Sequence, residues 1–168
     1  KSAAIALLPD EGLSALHAAL VEQARGIVPD LEVEAWPHVT LAYLPDVAGR
    51  EEALGEQVRD LMAGAGGAAI TGGSVVAFPI GDRGVPIVLE LEGIGAQALH
   101  RLARGSASAA GVKVDQRHPS FRPHLTIGYS PAELTAGQAE ALAALDVPEL
   151  DSRLSVAVVQ SGDVEVAR

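Results

Sequence analysis

The octet Trp36-Pro37-His38-Val39-Thr40-Leu41-Ala42-Tyr43 (WPHVTLAY, residues 36–43) returns near the other end of the chain as RPHLTIGY, residues 122–129. Pro, His, Thr and Tyr keep their places, and the residues between them are near-equivalents. With five His and four Thr in the chain, random placement would produce a His-x-Thr roughly 0.1 times. Two copies, each behind a Pro and each running into an apolar stretch, mark an internal repeat.

Strand side chains alternate between faces. A regular strand puts His38, Thr40 and Ala42 on one face and Val39, Leu41 and Tyr43 on the other. His124, Thr126 and Gly128 oppose Leu125, Ile127 and Tyr129 in the same way. The bulky set reads as the core face, so both Tyr are expected to pack. The other face reads ring, hydroxyl, then almost nothing, which leaves room for a ligand beyond each Thr. Pro37 and Pro123 suit a strand's first position, where a missing N–H is tolerated.

Two such faces supply the groups that phosphodiester chemistry needs. A neutral imidazole takes a proton from the attacking hydroxyl or water, and an imidazolium gives one to the departing oxygen. The ordinary imidazole pKa serves both roles near neutrality. Two Thr hydroxyls can donate to the non-bridging oxygens as charge builds there. Which His is base and which acid stays open. Metal binding is the competing reading, but the octets offer only two His and no carboxylate at ligand spacing, and zinc usually takes three or four protein ligands. No cofactor or metal is expected.

Outward from the octets, the chain reads as one domain over residues 1–168. Apolar residues make up 48% of it, enough for a substantial core, whereas aromatics are only 3%. The net charge of −10 and the lack of any basic run argue against an extended nucleic-acid surface and leave room for a small anionic substrate. There is no Cys, which excludes thiolate chemistry and suits a cytoplasmic protein. AAIALL (residues 3–8) is too short for a leader and is followed by Pro9 and acids. No run is long and apolar enough for a membrane span.

Periodicity gives strands at 3–8, 32–36, 38–44, 68–80, 85–91, 123–129 and 152–160, with a further one at 163–167. Helices fall at 11–27, 50–63, 94–110 and 132–145. Asp10 is the expected cap of the first, and Gly64–Gly67 closes the second. The third turns Ile94, Leu99, Leu102 and Ala103 inward. GDRG (81–84) is a hairpin turn. His17 and His100 lie on helices as surface or packing residues, and Phe78 as core. The order is α+β.

PHVTL and RPHLTIGY resemble the paired His-x-Thr motifs of the 2H phosphoesterase superfamily, which includes LigT-like 2′-5′ RNA ligases and 2′,3′-cyclic phosphodiesterases. FPIGDRGVPIVLELEG (78–93) resembles the family's mid-chain hairpin. LARGSASAAGVKVDQRHPSFRPHLTIGY (102–129) resembles the helix, glycine turn and FRPH lead-in to its second motif. The resemblance implies a bilobal α+β fold with pseudo-twofold symmetry, in which two antiparallel sheets form a central cleft and helices lie outside. It implies that His38, Thr40, His124 and Thr126 line that cleft and act without metal on a 2′-linked or 2′,3′-cyclic phosphodiester. The acidic chain and its scarce aromatics favour a small nucleotide handled by a monomer. Trp36 and Arg122 occupy equivalent places two residues before each His. Arg122 is a candidate phosphate partner. Trp36 is a candidate base-stacking ring, with packing between the lobes as the alternative. Arg117 and His118, in the loop ahead of the second octet, are further candidate substrate contacts.

Overall fold

The structure, a computed structural model, describes residues 1–117, 120–160 and 166–167. The elements in chain order are β1 (Ala3–Leu8), α1 (Glu11–Ile27), β2 (Glu32–Val33), β3 (Val39–Leu44), α2 (Glu51–Ala65), β4 (Ala68–Ala77), β5 (Val85–Ile94), α3 (Ala96–Ala109), β6 (His124–Ser130), α4 (Ala136–Ala143), β7 (Ser152–Gln160) and β8 (Val166–Ala167). Each expected helix and strand is present. The last falls partly outside the described residues: only 166–167 of the stretch 163–167 is described.

Local chemistry sets the boundaries. Asp10 accepts from the Leu13 N–H at 2.8 Å and starts α1. Gly66, at φ 70°, ends α2 in the left-handed conformation that glycine adopts freely. The fourth helix begins later than 132 because Thr135 and Gln138 form a reciprocal capping box. In α3 the buried stripe is Ala96, Leu99, Ala103 and Ala107, while Leu102 is 49% exposed. Four-residue steps from Leu99 keep one face, and Leu102 falls a residue short of it.

The strands run in the order β2-β6-β5-β4-β7-β1-β3, with β8 beside β7, and the pairings described are antiparallel. β7 joins two half-sheets. Its residues Ser152–Leu154 pair with β4, and Ser155–Gln160 pair with β1. β3-β1-β7 on one side therefore mirrors β6-β5-β4 on the other, a pseudo-twofold arrangement of two lobes. Although β3 and β6 lie far apart in the strand order, they touch, so the half-sheets curl toward each other around a cleft.

The helices cross between lobes. α1 follows β1 but packs on β6, and α3 follows β5 but packs on β3. One apolar cluster runs through both halves, with Ile5, Leu7, Leu41 and Leu44 from one and Ile87, Leu89, Leu125 and Ile127 from the other. No described helix is long and apolar enough to cross a membrane.

Candidate active site

Both octet strands skip register at the same point. Ile5 pairs with Ala42 but Ala6 with Thr40, so Leu41 is an extra residue on β3. Ile87 pairs with Gly128 but Val88 with Thr126, so Ile127 is the extra residue on β6. A bulge of this kind shifts the alternation by one. Leu41 and Ala42 are both buried, as are Ile127 and Gly128. Tyr43 is consequently 39% exposed and Tyr129 half-buried. Neither Tyr is the core residue that strict alternation demands. Each falls on the side of its own His and Thr.

The small residues after each Thr likewise serve packing and not ligand space. A Cβ on Gly128 would stand 2.6 Å from the Glu32 carbonyl oxygen and 2.9 Å from Leu31 Cδ1. That room is taken by β2, whose Val33 pairs with Gly128. β3 ends the strand order and has no such outer neighbour, so Ala42 fits.

The chain bends at 35–36 and is irregular at 121–123, so neither octet is a regular strand through its Pro. Those irregular segments aim the imidazoles. His38 Nδ1 lies 2.8 Å from the Trp36 carbonyl, and His124 Nδ1 lies 2.7 Å from the Arg122 carbonyl. A carbonyl only accepts, so each Nδ1 carries the proton and donates it. In the neutral ring this leaves Nε2 as the basic atom. The same contact in both lobes gives the same tautomer twice. The rings also feel each other: His38 is one of the charges acting on His124.

The two His differ in their surroundings. The edge of Phe78 meets His124 with centroids 4.8 Å apart and planes at 72°. Phe78 is thus a cleft-wall residue, half-buried, and not core. Burial pushes the His124 pKa below its ordinary value, and the Arg122 and His38 charges push the same way. The Arg122 carbonyl and Glu90 oppose the shift. His124 therefore favours the neutral form. Thr40 and Thr126 are half-buried, each two residues beyond its His.

Trp36 is 60% exposed, which removes the reading of lobe packing and leaves its side chain presented to solvent. Arg122 Nε donates to Glu90 at 2.5 Å, and its guanidinium lies 4.6 Å over the Phe78 ring. Arg117 is held by Asp115, whose backbone N–H reaches the Tyr43 carbonyl. His118 lies outside the described residues. Arg83, at the hairpin turn, covers the Tyr129 ring at 4.1 Å and pairs with Glu32 and Glu34.

Two residues that sequence reasoning left as surface or packing groups hold the site from behind. His17, buried on α1, donates from Nε2 to the Thr126 carbonyl at 2.9 Å. His100, on α3, donates from Nδ1 to the Leu41 carbonyl at 2.7 Å and stacks on Phe121 with centroids 4.2 Å apart. Each carbonyl lies where a strand skips register, and a donor there prevents a costly unpaired acceptor. The signal was present in the sequence: each His sits on the helix before an octet, 21 residues ahead of His38 and 24 ahead of His124.

Among the described residues no group of three or more His, Cys, Asp or Glu gathers as a metal site. An apolar cavity of about 360 Å³, lined by Leu54, Val58, Met62 and Val156 among others, includes none of the candidate residues.

A family model described as the 2′-5′ RNA ligase superfamily matches residues 21–161. Comparison with curated protein sequences gave no match. Among solved structures, the MHV ns2 PDE domain superposes with a TM-score of 0.68 at 16% identity, covering 95% of this chain and 99% of that one. TT0787 of Thermus thermophilus gives 0.63 at 18% identity, over 100% and 96%. E. coli LigT, complexed with 3′-AMP, gives 0.55 at 19% identity, over 99% and 92%. At these identities the superpositions speak for the fold.

Proposed function

The chain belongs to the 2′-5′ RNA ligase superfamily, and from that premise we propose that it is a metal-independent phosphodiesterase acting on a small 2′,3′-cyclic or 2′-linked nucleotide, as a monomer in the cytoplasm. The observation that carries this reading is the matched pair of imidazoles. Each is fixed by the carbonyl two residues before it, so that Nε2 is left for chemistry.

His124, kept neutral by its burial against Phe78, is the general base. Its Nε2 takes a proton from water as the water oxygen bonds to phosphorus. His38, protonated at Nε2, gives its proton to the ribose oxygen as the P–O bond breaks. Thr40 and Thr126 donate to the non-bridging oxygens, where charge gathers. The products are a phosphomonoester and a free hydroxyl, and solvent returns both His to their starting states. Trp36 stacks against the base. Strand joining is the same exchange with a 5′-hydroxyl in place of water, and the family's name favours keeping it as a second reading.

The test is a panel of 2′,3′-cyclic mononucleotides, 2′-5′ oligonucleotides and cyclic oligonucleotides, read by mass spectrometry with and without EDTA. Turnover should survive EDTA, and His38→Ala and His124→Ala should each abolish it while the circular dichroism spectrum is retained. A metal requirement, or full activity in either variant, would contradict the scheme.

A further inference from the structure

Arg122 neighbours His124, Arg83 covers Tyr129 and Arg117 lies near Tyr43, and each of the three is paired with a carboxylate. Arg122 gives its Nε–H to Glu90, the residue that pairs with His124 across β5 and β6. Arg83 reaches Glu32 at 3.0 Å and Glu34 at 3.5 Å. Arg117 binds Asp115 at 2.7 Å. The set is three guanidiniums against four carboxylates, a balance of −1 before either His is charged. An imidazolium on His38 brings that balance to zero. One phosphodiester, with its single negative charge, then meets one positive group.

None of these three guanidiniums is free to meet a second phosphate. To take Arg122 it would have to leave Glu90 uncompensated beside the reacting group. To take Arg83 it would uncover two carboxylates at once. Two of the three guanidiniums are also held on aromatic faces, Arg122 on Phe78 and Arg83 on Tyr129. Redeploying either one therefore loses a stacking contact as well as an ion pair. The chain's overall charge of −10 repels a polyanion before contact.

We propose that the cleft selects nucleotides whose only charge is the reacting phosphodiester and discriminates against the same nucleotides bearing a terminal phosphate. This rests on the phosphodiesterase reading above and narrows its substrate class to 5′-hydroxyl compounds with a single phosphodiester.

The experiment compares adenosine 2′,3′-cyclic phosphate with its 5′-phosphorylated form. At low ionic strength kcat/KM should fall at least tenfold with the added phosphate. The gap should shrink in high salt, because surface charges are screened beyond about 10 Å at 0.1 M. It should also shrink in the Glu32→Gln/Glu34→Gln double variant, which removes the repulsion and loosens Arg83. Equal or better turnover of the 5′-phosphorylated compound would overturn the proposal while leaving the phosphodiesterase reading intact. If neither compound turns over, calorimetry with adenosine 2′-phosphate and adenosine 2′,5′-bisphosphate reads the same selection. Tighter or equal binding of the bisphosphate overturns the proposal, and failure to bind either removes the proposal and the phosphodiesterase reading together.

Discussion

His124 and Phe78 show how one neighbour separates two otherwise equivalent side chains. Both catalytic candidates are anchored through Nδ1, but among the described residues an aromatic edge meets His124 and not His38. On the proposed assignment of His124 as base, its lowered pKa should place the acidic limb of the pH–rate profile below 6.5, because that base fails only once protonated. Phe78→Ala should admit water, relieve the desolvation and move that limb upward, while His38→Ala should remove turnover at every pH. A limb unchanged by Phe78→Ala would exclude burial as the cause. His38, Thr40, His124 and Thr126 stand out in the sequence as candidates because the motif is written twice. The setting of His124 was not, since Phe78 precedes it by 46 residues and nothing local to the octet announces the contact.

At the scale of elements, the paired bulges are the feature that pattern reading misses. Alternation gave the right face for Val39, Thr40, Leu125 and Thr126, and failed beyond Leu41 and Ile127. Register belongs to a pair of strands, and one strand's sequence does not disclose an extra residue opposite its partner. The difference between Ala42 and Gly128 also belongs to neighbours, because only β6 carries β2 on its outer side. Gly128→Ala should displace β2 and cost about 1–3 kcal/mol in denaturant unfolding, the range for forcing extra atoms into a filled site. A neutral substitution would show that β2 yields freely. Helices and strands themselves were recovered closely, because Asp10, Gly66 and the Thr135–Gln138 box act locally.

Across the whole molecule, the two halves hold each other's working strands. His17 ties α1 to β6, and His100 ties α3 to β3. These contacts span 109 and 59 residues, so no local pattern reveals them. Burial lowers the His17 pKa, with the Thr126 carbonyl and Glu34 opposing. The unfolded chain takes up the His17 proton near pH 6.5, whereas the folded chain does so only at lower pH. Stability therefore falls as the pH drops below 6.5 toward the folded value. His17→Gln keeps a donor but cannot titrate, and its melting temperature should fall less than the parent's between about pH 7 and 5. Parallel losses would remove His17 from the linkage. The crossed helices also explain why the halves match so poorly in sequence beyond the octets, since each helix answers to the opposite lobe's surface. β7 adds a second reason. It sets Gln160 against Ala3, and for the first half it stands where β4 stands for the second. The duplication is thus written out of phase with the chain: β7-β1-α1-β3-α2 answers β4-β5-α3-β6-α4. A circular permutant closed between Gln160 and Ala3 would spell the two copies in plain succession, each octet lying on the third strand of its unit.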